Sequence, residues 1–235
     1  MALTKSSGRP VAAMEYTTGA YNSEISAPVH VVNLEAITSA TLHHEPYRHF
    51  IGSNALNAAA EAMARDFPPI DETGFFPVGD LLITGVFHDL IADVNDPGFS
   101  TAVGDKLGLD LVNRPRLVTL RHRSAASDGR IHTDSVSKVA TVLIYLNDCW
   151  LDSRAGCLRV LRSSRDIEDY SAEISPVLGR VFGFRRTENS WHGHPPFAGE
   201  RKVLQIAWLT DEAKVAHKTR AANFSRWLKR LNPFA

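Results

Sequence analysis

The chain has 235 residues, 44% of them hydrophobic and 22% charged, enough for one domain with a buried core and unlike a disordered or fibrous polymer. Lys plus Arg and Asp plus Glu both total 26, so there is no global basic field to steer the chain onto phosphates, and nucleic acid is not an expected partner. Two cysteines, Cys149 and Cys157, are too few for a disulfide framework and fit a reducing, cytoplasmic setting.

Residues 1–27 are rich in Ser, Thr, Gly and Ala and lack the continuous apolar stretch of a secretory signal, so they read as a flexible leader. Residues 28–235 read as a single domain in three parts. The first, 28–115, is helical in pieces. Ser53 caps an Ala-rich run ended by Pro68-Pro69, LLITGVFHDLIADV carries a second helix, and Asp96-Pro97 opens a third over GFSTAVGDKLGL. From Arg116 the pattern changes to short β-branched and aromatic runs: RLVTLRHR, VATVLIYLN, GCLRVLR, GRVFGFRR and RKVLQIAWL. Strands at this spacing, with no long helices between them, predict a mainly β fold. The expected form is an antiparallel jelly roll over 116–209, with the N-terminal helices packed on one sheet. In the tail, Phe224, Trp227, Leu228 and Leu231 share one stripe, which predicts a closing helix over 219–231. The longest apolar run, Val139 to Leu146, falls far short of the ~20 residues a spanning helix needs, so no membrane partner is expected.

His132 and Asp134 stand two apart in the segment from Gly129 to Asp134. A strand's period of two puts both side chains on one face, with Cα atoms roughly 6.5 Å apart. The segment Ser190-Trp191-His192-Gly193-His194 supplies a third ligand. His192 is favoured over His194 by its interval to Arg201 and by the Pro195-Pro196 pair that constrains the backbone after His194. Two histidines and one carboxylate form the facial set associated with non-haem Fe(II), which leaves positions open for reactants. Arg201 opens the strand RKVLQIAWL, where alternation puts Arg201, Val203, Gln205 and Ala207 on one face and Lys202, Leu204, Ile206 and Trp208 on the other. Its planar fork suits a dicarboxylate.

Taken in order, LVTLRHR, DGRIHTD, VLIYLN with Trp150, AGCLRVL, GRVFGFRR, SWHGH and the Arg201 strand resemble the Fe(II)- and 2-oxoglutarate-dependent dioxygenases, particularly the branch containing the prolyl hydroxylases. The resemblance spans about residues 116–209 and implies a double-stranded β-helix, a cupin-like jelly roll, working with Fe(II), 2-oxoglutarate and O2. It implies that His132, Asp134 and His192 hold the iron and that Arg201 and Tyr145 hold the distal carboxylate of 2-oxoglutarate. His122, standing where a tyrosine is common, is expected to contact the cosubstrate as well. The implied activity couples oxidative decarboxylation of 2-oxoglutarate to hydroxylation of an unactivated C–H bond in a small molecule or an amino-acid or peptide substrate. Leu143, Val203 and Gln205 are expected to face the pocket and, with Arg121, Arg123 and Arg154 near strand ends, are compatible with a small anionic metabolite, an amino acid or peptide side chain, or a glycan. The alternative is a non-redox cupin-like metal isomerase or a metabolite-binding module, neither of which needs a dicarboxylate clamp.

Overall fold

The computed structural model describes residues 30–150 and 154–210. Its elements, in chain order, are α1 (Leu34–Ser39), β1 (Thr41–His43), β2 (His49–Gly52), α2 (Ala60–Arg65), β3 (Phe76–Pro77), α3 (Val86–Asn95) and α4 (Pro97–Leu107), followed by β4 (Arg116–Ser124), β5 (Lys138–Tyr145), β6 (Leu158–Leu161), β7 (Tyr170–Ile174), β8 (Val181–Arg185), β9 (His192–Gly193) and β10 (Gly199–Leu209). Seven strands form an antiparallel sheet in the order β1-β2-β8-β5-β10-β4-β3, and three form a smaller sheet in the order β7-β6-β9. A bridge between His132 and His192 adds one more short segment to the small sheet beside β9. From β4 onward the chain keeps crossing between sheets: β4 large, His132 small, β5 large, β6 and β7 small, β8 large, β9 small, β10 large. That alternation is the expected double-stranded β-helix.

Strand periodicity divides the large sheet into two working faces. Ala140, Val142 and Ile144 of β5, with Leu204, Ile206 and Trp208 of β10, pack against Phe87, Leu90, Phe99 and Val103 of α3 and α4. The alternate residues Leu143, Tyr145 and Val203, with Phe182 and Phe184, meet Leu158, Val160 and Ile174 of the small sheet. Helix α4 forms where its signals place it. Asp96 caps it by accepting from the Gly98 amide, Pro97 fills the first turn, and Gly108 ends it in the left-handed conformation. The helix is tied to the sheet by Trp208, whose ring stacks on Phe99 at 5.9 Å and whose indole N–H donates to Ser100 Oγ at 3.1 Å.

Three helical expectations are corrected. The N-terminal part is not only helical, because β1, β2 and β3 extend the large sheet at both edges. The Ala-rich helix does not start at Ser53 but is confined to Ala60–Arg65. Upstream of it the Ala55 amide donates to Gly179 O and Leu56 bridges to Val32, so tertiary pairing claims backbone that propensity alone would make helical. The second helix begins only at Val86, after Gly85 at φ +55°, and its first amide is received by the Asp66 carboxylate at 2.9 Å. Strand β7 was not anticipated. The leader over 1–27 and the helix over 219–231 lie outside the described residues. Among the described residues no helix is long and apolar enough to cross a membrane.

Gly183 stands opposite Phe50 in the β2–β8 ladder, and a Cβ on it would lie 2.3 Å from the Phe50 ring. Gly183→Ala is therefore expected to cost about 1–3 kcal/mol through overpacking. The measurement is urea unfolding, where the midpoint should fall with the slope unchanged.

Candidate metal centre

His132 and His192 face each other as an antiparallel pair, each amide donating to the other's carbonyl at 3.0 Å. Residues opposed in this way project to the same side of a sheet, so the pairing leaves the two rings with centroids 4.4 Å apart. Asp134 follows His132 by two residues, and one donor atom from each of the three side chains lies within 4.8 Å of the others. Nδ1 of His132 is 2.7 Å from the Arg130 carbonyl oxygen, and Nδ1 of His192 is 2.9 Å from that of Ser190. A carbonyl only accepts, so both Nδ1 atoms carry a proton, and Nε2 is the ring atom left to face a metal. Metal ligation by Nε2 requires this tautomer.

The carboxylate is oriented too. Lys138 Nζ donates to Asp134 Oδ1 at 2.8 Å, and Thr141 Oγ1 donates to Oδ2. Burial pushes the Asp134 carboxyl up, but Lys138, His192 and Thr141 together outweigh it and hold it at about 2. Burial, reinforced by His132, drives His192 down to about 4. At neutral pH the set is thus an ionised carboxylate with a neutral His192 beside it, the protonation states that a divalent metal needs from these donors.

These three residues line a cavity of about 330 Å³ together with Arg121, Lys138, His194 and Arg201. Arg201 reaches it from a bulge in β10, where the register against β4 shifts between Glu200 and Val203. Its Nε donates to Gly156 O at 2.8 Å, and Nη2 lies 3.5 Å from the hydroxyl of the fully buried Tyr145. Leu143 and Gln205 line the cavity, whereas Val203 packs beside Tyr145 in the core behind it.

His122 is not brought to the cavity. Its Nδ1 is 2.7 Å from Ile70 O and its ring packs on Phe67, on the face that also carries Leu120. The neighbouring Arg121 takes the inward position instead. The apolar alternation of Val118 and Leu120 contains this signal, since it assigns His122 to the helix side and Arg121 to the other. His194 lines the cavity but stands outside the three-residue set. Lys138 and Thr141 belong to no motif; they become visible only when β5 is laid beside the Asp134 segment.

The fold is a jelly roll, and these three donors stand where they could hold one metal ion. Residues 120–210 match the family model of the 2OG-Fe(II) oxygenase superfamily, over the stretch from β4 to β10 that carries His132, Asp134, His192 and Arg201. By its description, that superfamily is one of oxygenases that use Fe(II) and 2-oxoglutarate. No curated protein sequence matches the chain. Among solved structures, it is similar to a prolyl-4-hydroxylase from Pseudomonas putida, with TM-score 0.48 and 16% identity over 75% of this chain and 88% of that one. It is similar also to a Phytophthora capsici prolyl 4-hydroxylase, with TM-score 0.48 and 16% identity over 78% of this chain and 68% of that one. A third is the viral collagen prolyl hydroxylase of Paramecium bursaria Chlorella virus-1, with TM-score 0.46 and 12% identity over 70% of this chain and 90% of that one.

Burial pushes both His192 and His194 down to about 4, whereas an unfolded histidine titrates near about 6.5. Because the folded values lie below the unfolded one, the unfolded chain binds more protons between these limits. Stability of the metal-free protein is therefore expected to fall as pH drops through this window, by up to about 1.4 kcal/mol per pH unit for each histidine. Asp134 adds its own loss only lower, as pH falls from the unfolded carboxylate range toward about 2. Urea midpoints across the histidine window test this, and a flat profile there would contradict neutral buried imidazoles.

Proposed function

We propose that His132, Asp134 and His192 hold Fe(II), that Arg201 with Tyr145 receives the distal carboxylate of 2-oxoglutarate, and that the enzyme hydroxylates an unactivated C–H bond of a small molecule or an amino-acid or peptide substrate. The observation that carries this reading is the convergence, in one cavity, of three metal-competent donors and a buried guanidinium. When bound, the ferrous ion supplies the oxidative chemistry, with decarboxylation of 2-oxoglutarate to succinate providing the electrons.

The chain's own residues supply orientation and exclusion of water. The Arg130 and Ser190 carbonyls fix the two imidazoles, and Lys138 and Thr141 fix the carboxylate. The Gly156 carbonyl holds one edge of Arg201 and leaves the remainder of its fork at the cavity wall. Leu143, Leu158 and Phe184 give the cavity apolar walls.

Anaerobic addition of Fe(II) and 2-oxoglutarate to the full chain should develop a visible charge-transfer band. Asp134→Ala should lose both the band and succinate formation. Arg201→Met should keep metal binding but raise the 2-oxoglutarate requirement by about 30-fold or more, as expected for a truncated buried charge partner. Absence of the band in the unaltered protein would favour a non-redox metal isomerase or binding module on the same fold.

A further inference from the structure

Lys138 sets a positive charge directly on a proposed metal donor, and an irregularity in β5 puts it there. Alternation sends Ala140, Val142 and Ile144 to the helix side of the large sheet and Thr141, Leu143 and Tyr145 to the other. Unbroken, it would carry Lys138 to the helix side with Ala140. Instead the register against β10 shifts between Trp208 and Leu209: Ala140 pairs with Trp208 and Lys138 with Leu209, two residues of β5 against one of β10. Val139 packs on the helix-side core beside Ala140, and Lys138 lines the cavity. A bulge re-aims a side chain in this way.

The ammonium and the carboxylate it meets are both shielded from solvent. Nζ lies 2.8 Å from Asp134 Oδ1, with the two side chains 11% and 10% exposed, so salt screens the pair little. Among the described residues, Asp134 is the only carboxylate lining the cavity, against the cations Arg121, Lys138 and Arg201. Arg121 has Asp128 at 3.5 Å outside that lining, and Arg201 awaits the proposed dicarboxylate. Two imidazoles and one carboxylate offer a single negative charge to a dication, and Lys138 cancels it. A metal held by Asp134 would share that anion with an ammonium, a repulsion that opposes binding. The same charge attracts a dianion entering the cavity. Orientation alone would not need it, because the neutral Thr141 hydroxyl already fixes the other carboxylate oxygen.

We propose that Lys138 sets the loading of this site: its charge weakens the hold of the three donors on a divalent metal and strengthens the hold of the metal-loaded cavity on 2-oxoglutarate. The inference rests on the reading of His132, Asp134 and His192 as the metal donors and of Arg201 as the cosubstrate clamp. It makes Lys138 a positioning residue with opposite effects on two ligands. A merely structural lysine would have effects of one sign, since its loss would loosen the donors and the clamp together.

The test titrates the untagged full chain calorimetrically with Ni(II), at about pH 8, well above the usual carboxylate range. The chain saturated with Ni(II) is then titrated with 2-oxoglutarate. Lys138→Gln, which keeps an N–H for Asp134 Oδ1, should bind Ni(II) about tenfold tighter or more and 2-oxoglutarate about fivefold weaker or more. Lys138→Met, which keeps only the apolar stem, should move the two affinities in the same two directions. Lys138→Arg retains the charge and should leave both within about threefold of the unaltered chain. The proposal is overturned if the two uncharged variants bind Ni(II) no tighter, if they bind 2-oxoglutarate as well as the unaltered chain does, or if Lys138→Arg behaves as they do. Asp134→Ala tests the underlying reading separately and should lose the Ni(II) site. If it binds Ni(II) as the unaltered chain does, Asp134 is not a donor, and this inference falls with that assignment.

Discussion

The geometry of the proposed metal ligands depends on two backbone hydrogen bonds, those exchanged between His132 and His192. A slip of one residue in that pairing would turn one of the imidazoles to the opposite face of the small sheet, since strand side chains alternate. The register is pinned from both sides of β9. Val160 and Arg159 of β6 pair with His192 and Gly193 on one edge, and His132 pairs on the other. The His194 amide adds a further bond to Gly129 O at 2.8 Å. Such close approach needs Gly193, where a Cβ would meet the Gly129 carbonyl oxygen at 2.7 Å. A strand of two residues thereby carries a ligand as firmly as a long one.

Buried charge separates structural from receptive positions. Arg159 is 2% exposed and well satisfied: it donates to Glu173 and Glu168 and to Ile167 O, and Tyr170 covers its Cζ at 4.5 Å. Arg201 is equally buried, yet it has one backbone acceptor and a long contact to Tyr145, and no carboxylate among the described residues pairs with it. Removing one cation from water without a counter-ion is costly, whereas burying a fully paired one can be nearly neutral. Arg159 therefore closes its charge balance within the fold, whereas Arg201 does not, which agrees with the proposed carboxylate clamp. The position of Arg201 on a bulge at the mouth of β10 agrees with that division, because such irregularities redirect a side chain without disturbing the ladder beyond them.

How much of this was legible depended on whether the signal was local. The core strands announced themselves as β-branched runs, and the alternation of RKVLQIAWL put Leu204, Ile206 and Trp208 together on one face, which the fold turns to the helices. Strands β1 and β2 were not legible, since Thr41–His43 and His49–Gly52 are too short to establish a period and owe their conformation to pairing with each other and with β8. The shortened α2 reflects the same competition, because Ala55 and Leu56 have strong helical propensity but better partners in Gly179 and Val32. At the site, sequence spacing pointed to His122, whereas the strand pleat delivers Arg121. Spacing counts residues, but the face is decided by which apolar neighbours enter the core.

The surroundings of Asp134 show how far the centre is organised by the protein alone. Its backbone carbonyl accepts from Arg186 Nε at 3.2 Å, and its two carboxylate oxygens accept from Lys138 and Thr141. Lys138 is itself placed by the turn after Asp134, its amide donating to Ser135 O at 2.9 Å. Carboxylate, both imidazoles and Arg201 are thus each held by groups outside the set of donors. The ordering entropy of these side chains falls on folding, where the jelly-roll core offsets it, and little of it remains to oppose ligand binding. Each carboxylate oxygen has two lone pairs, so the contacts that fix its plane do not exhaust its capacity to ligate. Lys138 also lowers the negative charge that the buried donors would otherwise concentrate, which lets an anionic carboxylate persist in an apolar-walled cavity before any cation arrives.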